Sequence, residues 1–249
     1  MMMRLLAICG LMLCSGLSVS AQAIVTDLSE RQVDIRYSFN GADLLLFGTV
    51  DLPQDLHGRK YDVAVVVQGP PEDVNVRKKE KTAFIWINHD VHIYEDVPGF
   101  YMVASNRPLI DITSLDILNT EGVGYQSLAF ESEKHDEHAE VFHAALVRGK
   151  EKKGLYLHDP VGVAIVGGGL FRADIRLPAN IPVGEFKVST FIYVDGALVA
   201  KRDMPLGVEK KGFERAVYSY AHNYPLYYGL TAVLIALSAG WVAGFFGRK

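Results

Sequence analysis

The chain has 249 residues, of which 49% are hydrophobic and 22% are charged, and this length suits one large domain or two small ones. The formal net charge is −4 at pH 7, and such mild acidity argues against nucleic acid as a partner. The apolar excess is concentrated at the two ends of the chain, which predicts membrane-directed segments there.

The first 23 residues have the pattern of a secretory signal peptide. Arg4 is their only charged residue, an apolar run follows it, and small residues occupy the −3 and −1 positions of a cut after Ala23. The apolar run is shorter than the roughly 20 residues of a spanning helix, which disfavours an uncleaved anchor. Cleavage would remove Cys9 and Cys14, so the mature chain is expected to have no disulfide, thiol nucleophile, Fe–S cluster or Cys-ligated metal.

Residues 24 to about 211 are predicted to form the exported domain, and its first half has the pattern of β-strands. Strict alternation predicts a strand over 33–39, and Asn40-Gly41 predicts a hairpin turn into a return strand over 44–50. A nearly continuous apolar run predicts a buried strand over 61–67. Shorter strands are predicted over 83–87 and 100–104.

Helical spacing then replaces alternation, and we predict a helical insertion over about 108–153. Within it, apolar residues predict one helix over 108–118 and an amphipathic helix over 137–153 that ends at Gly154. Strands return at 161–166, 170–177, 185–194 and 197–205, the last two joined by an Asp195-Gly196 turn. The predicted fold class is mainly β: an immunoglobulin-like antiparallel β-sandwich with a helical insertion, plus one C-terminal transmembrane helix.

The C-terminal region predicts a single membrane span over 227–246, preceded by an amphipathic juxtamembrane segment over 212–226. The 20 uncharged residues of the span would cover about 30 Å as a helix, the thickness of the hydrocarbon core. Two basic residues in the tail, 247–249, predict that this tail is cytoplasmic. We therefore expect a single-pass protein of the inner membrane with a periplasmic domain.

Ala236, Gly240 and Gly244 recur at every fourth residue of the predicted span. This small-xxx-small pattern favours close helix packing, with a second copy or with a larger membrane protein. The alternative is that small residues are simply common in membrane helices.

Histidines and carboxylates cluster between residues 133 and 143, and they are suitable ligands for zinc. Helical spacing pairs His135 with His138, or Glu140 with His143, and each pair would need a third ligand from elsewhere. A solvated, charged helix start explains the same pattern, and we assign no metal ligand from sequence. His89 and His92 are interpreted as loop histidines near the end of the predicted strand over 83–87. On a strand, residues three apart would point to opposite faces, so joint ligation would need a turn.

Motifs of enzymes are scarce. Gly167, Gly168 and Gly169 lie between two predicted strands, which favours a tight turn over a phosphate loop. No G-x-S-x-G sequence is present, and no other catalytic constellation is recognisable. We therefore expect a protein without enzymatic activity and without a cofactor.

The last third of the chain carries distinctive sequences. They are Leu170-Phe171-Arg172-Ala173, Pro182-Val183-Gly184-Glu185-Phe186, Pro225-Leu226-Tyr227-Tyr228-Gly229-Leu230 and Gly240-Trp241-Val242-Ala243. They resemble a family of alphaproteobacterial transmembrane proteins, over nearly the whole mature chain. The resemblance implies the topology above and a link to exporters of the sulfite or organosulfonate type, and it supplies no catalytic residues.

Two functions are consistent with these observations. The first is a membrane-anchored periplasmic accessory protein that binds an inner-membrane protein or a second copy of itself. The alternative is an envelope module that binds a metal ion or a small ligand through its exported domain.

Overall fold

The computed structural model describes residues 24–36, 39–82, 84–128, 131–132, 139–167, 169–210 and 213–246, so the predicted signal peptide lies outside the described residues. The strands are β1 Ile24–Leu28, β2 Gln32–Ile35, β3 Ala42–Val50, β4 Tyr61–Gln68, β5 Pro71–Thr82, β6 Ile85–Pro98, β7 Tyr101–Ser105, β8 Glu131–Ser132, β9 Tyr156–Asp159, β10 Val163–Val166, β11 Leu170–Leu177, β12 Gly184–Val194 and β13 Ala197–Lys210. The helices are α1 Leu109–Ile112, α2 Leu115–Glu121, α3 Ala139–Lys152, α4 Phe213–Asn223 and α5 Pro225–Phe246.

Two sheets form the body of the domain. One has the strand order β1-β3-β11-β10, and the other has the order β2-β13-β12-β4-β7-β9. These orders match those of immunoglobulin-like sandwiches. The other pairs within these sheets are antiparallel, as predicted, and the pairs β2–β13 and β7–β9 at the two edges of the larger sheet are parallel. The prediction of a mainly β chain that ends in an apolar helix is confirmed.

The alternation of buried and exposed residues explains how the two sheets face each other. In β11 every second side chain is buried, including Phe171 and Ile175, because one face of this strand packs on the core. In β4 six consecutive residues are buried, since its sheet is covered on both faces. Leu109 and Leu118 of the α1–α2 segment belong to the same apolar cluster as the sheets, and they cover the second face.

The predicted Asn40-Gly41 hairpin is wrong. β2 pairs with β13 in one sheet, whereas β3 pairs with β1 and β11 in the other, so the chain crosses between sheets at this point. Gly41 has a φ of +113°, and a Cβ atom there would lie 2.7 Å from the Leu177 carbonyl oxygen. Glycine is therefore required by a crossing that passes close to another backbone, rather than by a two-residue turn.

A long hairpin, β5–β6, extends over residues that the sequence patterns left largely unassigned. Only the short strand over 83–87 was predicted, but β5 and β6 together run from Pro71 to Pro98, and β8 completes a three-stranded sheet. The many charged residues of β5 obscure its strand character. The helix predicted over 108–118 is divided into α1 and α2, because Thr113 is extended between them.

The described residues of the C-terminal segment, 213–246, are helical except for Tyr224. α4 is followed by α5, and Pro225 is the first residue of α5, where its missing N–H costs no hydrogen bond. Pro225–Gly244 is long and apolar enough to cross a membrane, and none of it is buried against the rest of the protein. The prediction of a C-terminal membrane helix is therefore supported by both the composition and the exposure of α5.

Candidate functional site

An apolar pocket of about 300 Å³ lies between the α1–α2 segment and the six-stranded sheet. Leu109 and Leu118 form part of its helical wall, and Val103 of β7 forms part of its floor. Ile110 and Leu115, which are 75% and 54% exposed, lie at its rim. Exposed apolar side chains around a concave apolar pocket are typical of a binding site.

Three tyrosine side chains pack against one another at the pocket. The rings of Tyr101, Tyr125 and Tyr156 contact one another, with centroid separations of 5.8 to 5.9 Å. The Tyr101 hydroxyl donates to the Gly122 carbonyl oxygen at 3.1 Å and accepts from the Gly124 N–H at 2.7 Å. These bonds attach the loop after α2 to β7, so the pocket wall has a fixed position over the sheet.

Burial raises the pKa of Tyr101, Tyr125 and Tyr156 above the ordinary value of a tyrosine. The hydroxyls therefore stay protonated at physiological pH, and they act as hydrogen-bond donors rather than as bases. The pocket lining includes three polar side chains, those of His158, Asn119 and Ser127. They provide a few hydrogen-bonding groups in a largely apolar surface, which is the usual composition of a ligand or peptide pocket.

An ion pair between the buried Asp62 and the half-exposed Arg107 fixes the start of the α1–α2 segment to the sheet. Asp62 of β4 accepts hydrogen bonds from Arg107 Nε at 2.7 Å and from Arg107 NH2 at 2.5 Å. Asn106 Nδ2 donates to the same carboxylate at 2.9 Å, and Asn106 Oδ1 accepts from the Val63 N–H at 2.8 Å. Burial opposes ionisation of Asp62, but the hydrogen bonds from Arg107 and Asn106 outweigh it, and its pKa is lowered below 3.8.

This lowered pKa predicts acid sensitivity. The stabilisation is fully present above pH 3.8, the pKa expected in the unfolded chain, and it is lost as the pH falls through the lower folded-state pKa. Asp62→Asn is expected to cost about 2 kcal/mol at neutral pH, because the neutral amide removes the ion pair with Arg107 and offers it only one acceptor oxygen, and to weaken the fall in stability below about pH 4. Thermal unfolding between about pH 3 and pH 7 measures both effects. Asp174→Asn, on the exposed face of β11, is the control; equal pH profiles for both variants would contradict the prediction.

The sequence model of the family described as "Putative transmembrane protein (Alph_Pro_TM)" matches residues 23–249. The chain belongs to this family. No curated protein matches the chain. The match includes both the domain that carries the pocket and the apolar helix α5.

The candidate metal ligands, none of which was assigned from sequence, are only partly described. His135 and His138 lie outside the described residues. On α3, Glu140 is exposed. His143 Nε2 lies 3.1 Å from the Leu128 carbonyl oxygen, so the main chain engages one of the two ring nitrogens of His143. Among the described residues no three His, Cys, Asp or Glu side chains are placed to bind one metal ion. A metal site at this segment stays a prediction.

His92 has a different environment from the one expected of a ligand. It lies on β6, as His89 does, but it is buried and its ring stacks on Phe142 of α3 at a centroid distance of 3.9 Å. It thus contributes to packing between α3 and the hairpin.

Ala236, Gly240 and Gly244 lie on α5, as predicted. A Cβ atom placed at either glycine would meet no heavy atom within 4 Å, so both positions have space beside the helix. Whether this face packs against another helix stays a prediction.

The pocket itself was missed from sequence. The helical spacing of Leu109, Leu115 and Leu118 is recognisable, but it indicates only that these residues avoid water. The gap between these residues and Val103 and His158 depends on the path of the chain after α1 and α2. No local sequence pattern predicts that path.

Proposed function

We propose that the protein is a non-enzymatic accessory protein of the inner membrane, with its domain in the periplasm and its C-terminus in the cytoplasm. The signal-peptide pattern and the basic tail both support this orientation. The family match starts at residue 23, beside the predicted cleavage site, and this is consistent with removal of the preceding segment.

The observation that carries the proposal is the apolar pocket, with Ile110 and Leu115 exposed at its rim, on a domain joined to an apolar membrane helix. An anchored domain moves close to the membrane, so the proteins it meets most often are membrane proteins. A pocket of this kind accommodates one or two apolar side chains of a partner, the arrangement found at the centres of protein interfaces. The partner that we propose is an exporter of the sulfite or organosulfonate type, which the sequence resemblance suggests.

Photo-crosslinking in native membranes tests this proposal. A photoreactive amino acid at position 110 or 115 is expected to give an adduct with a multi-span membrane protein that also co-purifies stoichiometrically. Leu115→Glu is expected to weaken co-purification about 30-fold, the effect of losing an interface residue worth about 2 kcal/mol. Val25→Glu, at an exposed apolar position on β1, is the matched control.

Equal losses for Leu115→Glu and Val25→Glu would count against the pocket as the binding surface. Adducts between two copies of the chain would instead indicate a homodimer, for which Gly240 and Gly244 offer the contact face.

The alternative is an envelope module that binds a small ligand or a metal ion. The polar groups His158, Asn119 and Ser127 in the apolar pocket favour a small molecule with one polar end. Mass spectrometry of molecules released from the purified full-length protein, with metal analysis of the same sample, tests this alternative. A stoichiometric ligand that Leu115→Glu removes would replace the accessory-protein proposal.

A further inference from the structure

The β5–β6 hairpin continues the pairing of β4 with β7 beyond the end of the six-stranded sheet. The last register pair of β4 and β7 is Gln68 with Tyr101. The Gly69 N–H then donates to the Phe100 carbonyl at 2.8 Å, and the Gly99 N–H donates to the Pro70 carbonyl at 2.8 Å. The pairing of β5 with β6 follows directly. The hairpin is therefore a two-stranded extension of the sheet rather than a separate loop.

The hairpin leaves the sheet at the same end as the membrane helix. β12 is antiparallel to both β4 and β13, so β4 and β13 run in the same direction. Gln68, at the end of β4, is opposite Lys187, which is itself opposite Pro205 of β13. β13 ends five residues further on at Lys210 and is followed by α4 and α5. The base of the hairpin and the connection to the membrane thus lie at one end of the domain.

The lower half of the hairpin is braced by α3. Tyr94 and Val97 of β6 form a separate apolar cluster with Phe142 and Leu146 of α3. The buried Lys150 of α3 forms an ion pair with the half-exposed Glu72 at the start of β5. Beyond this brace, six residues of β5, 77–82, extend about 20 Å at the usual rise of about 3.3 Å per residue.

The distal part of the hairpin has an apolar tip and a basic stem. Residues 77–91 contain four basic residues, Arg77, Lys78, Lys79 and Lys81, and two acidic ones, Glu80 and Asp90, in a chain that is acidic overall. The sequence of the tip is Phe84-Ile85-Trp86-Ile87. Phe84 has a φ of +71° and is 92% exposed. An aromatic residue at this conformation in a turn is unusual, since glycine or asparagine normally occupies it.

We propose that the tip of the β5–β6 hairpin binds the anionic phospholipid surface of the membrane that holds α5. Aromatic residues favour the interface between headgroups and acyl chains, and lysines nearby are attracted to anionic headgroups. Because α5 already keeps the domain at the surface, a weak second contact is sufficient to orient it. This contact is independent of the partner proposed for the pocket.

Tryptophan fluorescence of the full-length protein in lipid vesicles tests the proposal. The chain has two tryptophans, Trp86 at the tip and Trp241 in α5, so Trp241→Phe leaves Trp86 as the reporter. In vesicles of phosphatidylcholine and phosphatidylglycerol with brominated acyl chains, we expect Trp86 emission to be blue-shifted and quenched. The quenching should be lost in about 0.5 M salt, which screens the headgroup attraction.

Two variants and one control make the test specific. The triple variant K78E, K79E and K81E is expected to lose the quenching, and so is F84S, which changes an exposed residue and should leave the melting temperature unaltered. The control carries a single tryptophan at position 161, an exposed position just beyond the end of β9 and so at the opposite end of the sheet from the hairpin base, and should show no quenching.

Absence of quenching in anionic vesicles, or equal quenching at position 161, would overturn the proposal. Crosslinking from position 84 in native membranes to a protein rather than to lipid would assign the tip to a protein partner, and would also overturn it.

Discussion

Glu72→Ala is expected to lower the free energy of unfolding by about 3 kcal/mol, the lower end of the usual cost of removing one partner of a buried pair, because the Lys150 ammonium is buried while the Glu72 carboxylate is half-exposed. Lys150 is only 5% exposed, and its ammonium group faces the Glu72 carboxylate. Its other neighbours are the carbonyl oxygens of Pro98 and Gly99, both at 3.5 Å, and the Tyr156 ring, whose centroid is 5.7 Å away. These groups solvate the ammonium only in part.

Chemical unfolding of the full-length protein in detergent measures this loss. Asp203→Ala is the matched control, because Asp203 pairs with Lys187 at 3.0 Å on the surface, and such pairs are worth less than about 1 kcal/mol. Adding Lys150→Met to Glu72→Ala removes the buried charge and should restore part of the stability. If the double variant is no more stable than Glu72→Ala alone, this account of the loss is contradicted.

Gly48→Ala is expected to destabilise the domain by about 3 kcal/mol, the upper end of the usual range for overpacking a core. Gly48 is the register partner of Thr26 on one side and of Phe171 on the other. A Cβ atom there would lie 2.5 Å from the Val25 carbonyl oxygen and 2.8 Å from Cζ of Phe171. The first of these neighbours is backbone within a sheet, so relief would require β1 and β3 to separate.

Gly167→Ala provides the comparison for Gly48→Ala. A Cβ atom at Gly167 would meet no heavy atom within 4 Å, and its substitution should change stability by less than about 0.5 kcal/mol. Denaturant unfolding curves of both variants in the same detergent test the difference. Equal stability of the two variants would show that β3 accommodates a methyl group at position 48.

Several elements were predictable because their pattern is local. The period of burial in β11 matches its sequence, and the turn at Asp195-Gly196 has the two positive φ values, 50° and 86°, that its residue types indicate. α5 was predictable because a membrane span depends on length and composition alone.

The partners of these elements were decided only by the tertiary structure. Asn40-Gly41 has the residue types of a hairpin turn, but the strands beside it pair with β13, β1 and β11, and pairing depends on residues far away in the chain. Lys150 illustrates the same limit for a single side chain. Its position near a helix C-terminus indicates a solvated cation. In the folded chain, however, Glu72 and Pro98 of the β5–β6 hairpin lie against its ammonium group, which is buried.

The sequence by itself determined the class of the protein: a mainly β domain followed by one apolar helix, because burial periodicity and hydropathy are properties of neighbouring residues. The tertiary structure decided the pocket over β7 and the position of the hairpin at the end of the domain where β13 ends. The pocket depends on the path of residues 108–127 across β7 and β9, and the position of the hairpin depends on the pairing of β4 with β12 and of β12 with β13. The free energy of such contacts is not encoded in any local pattern.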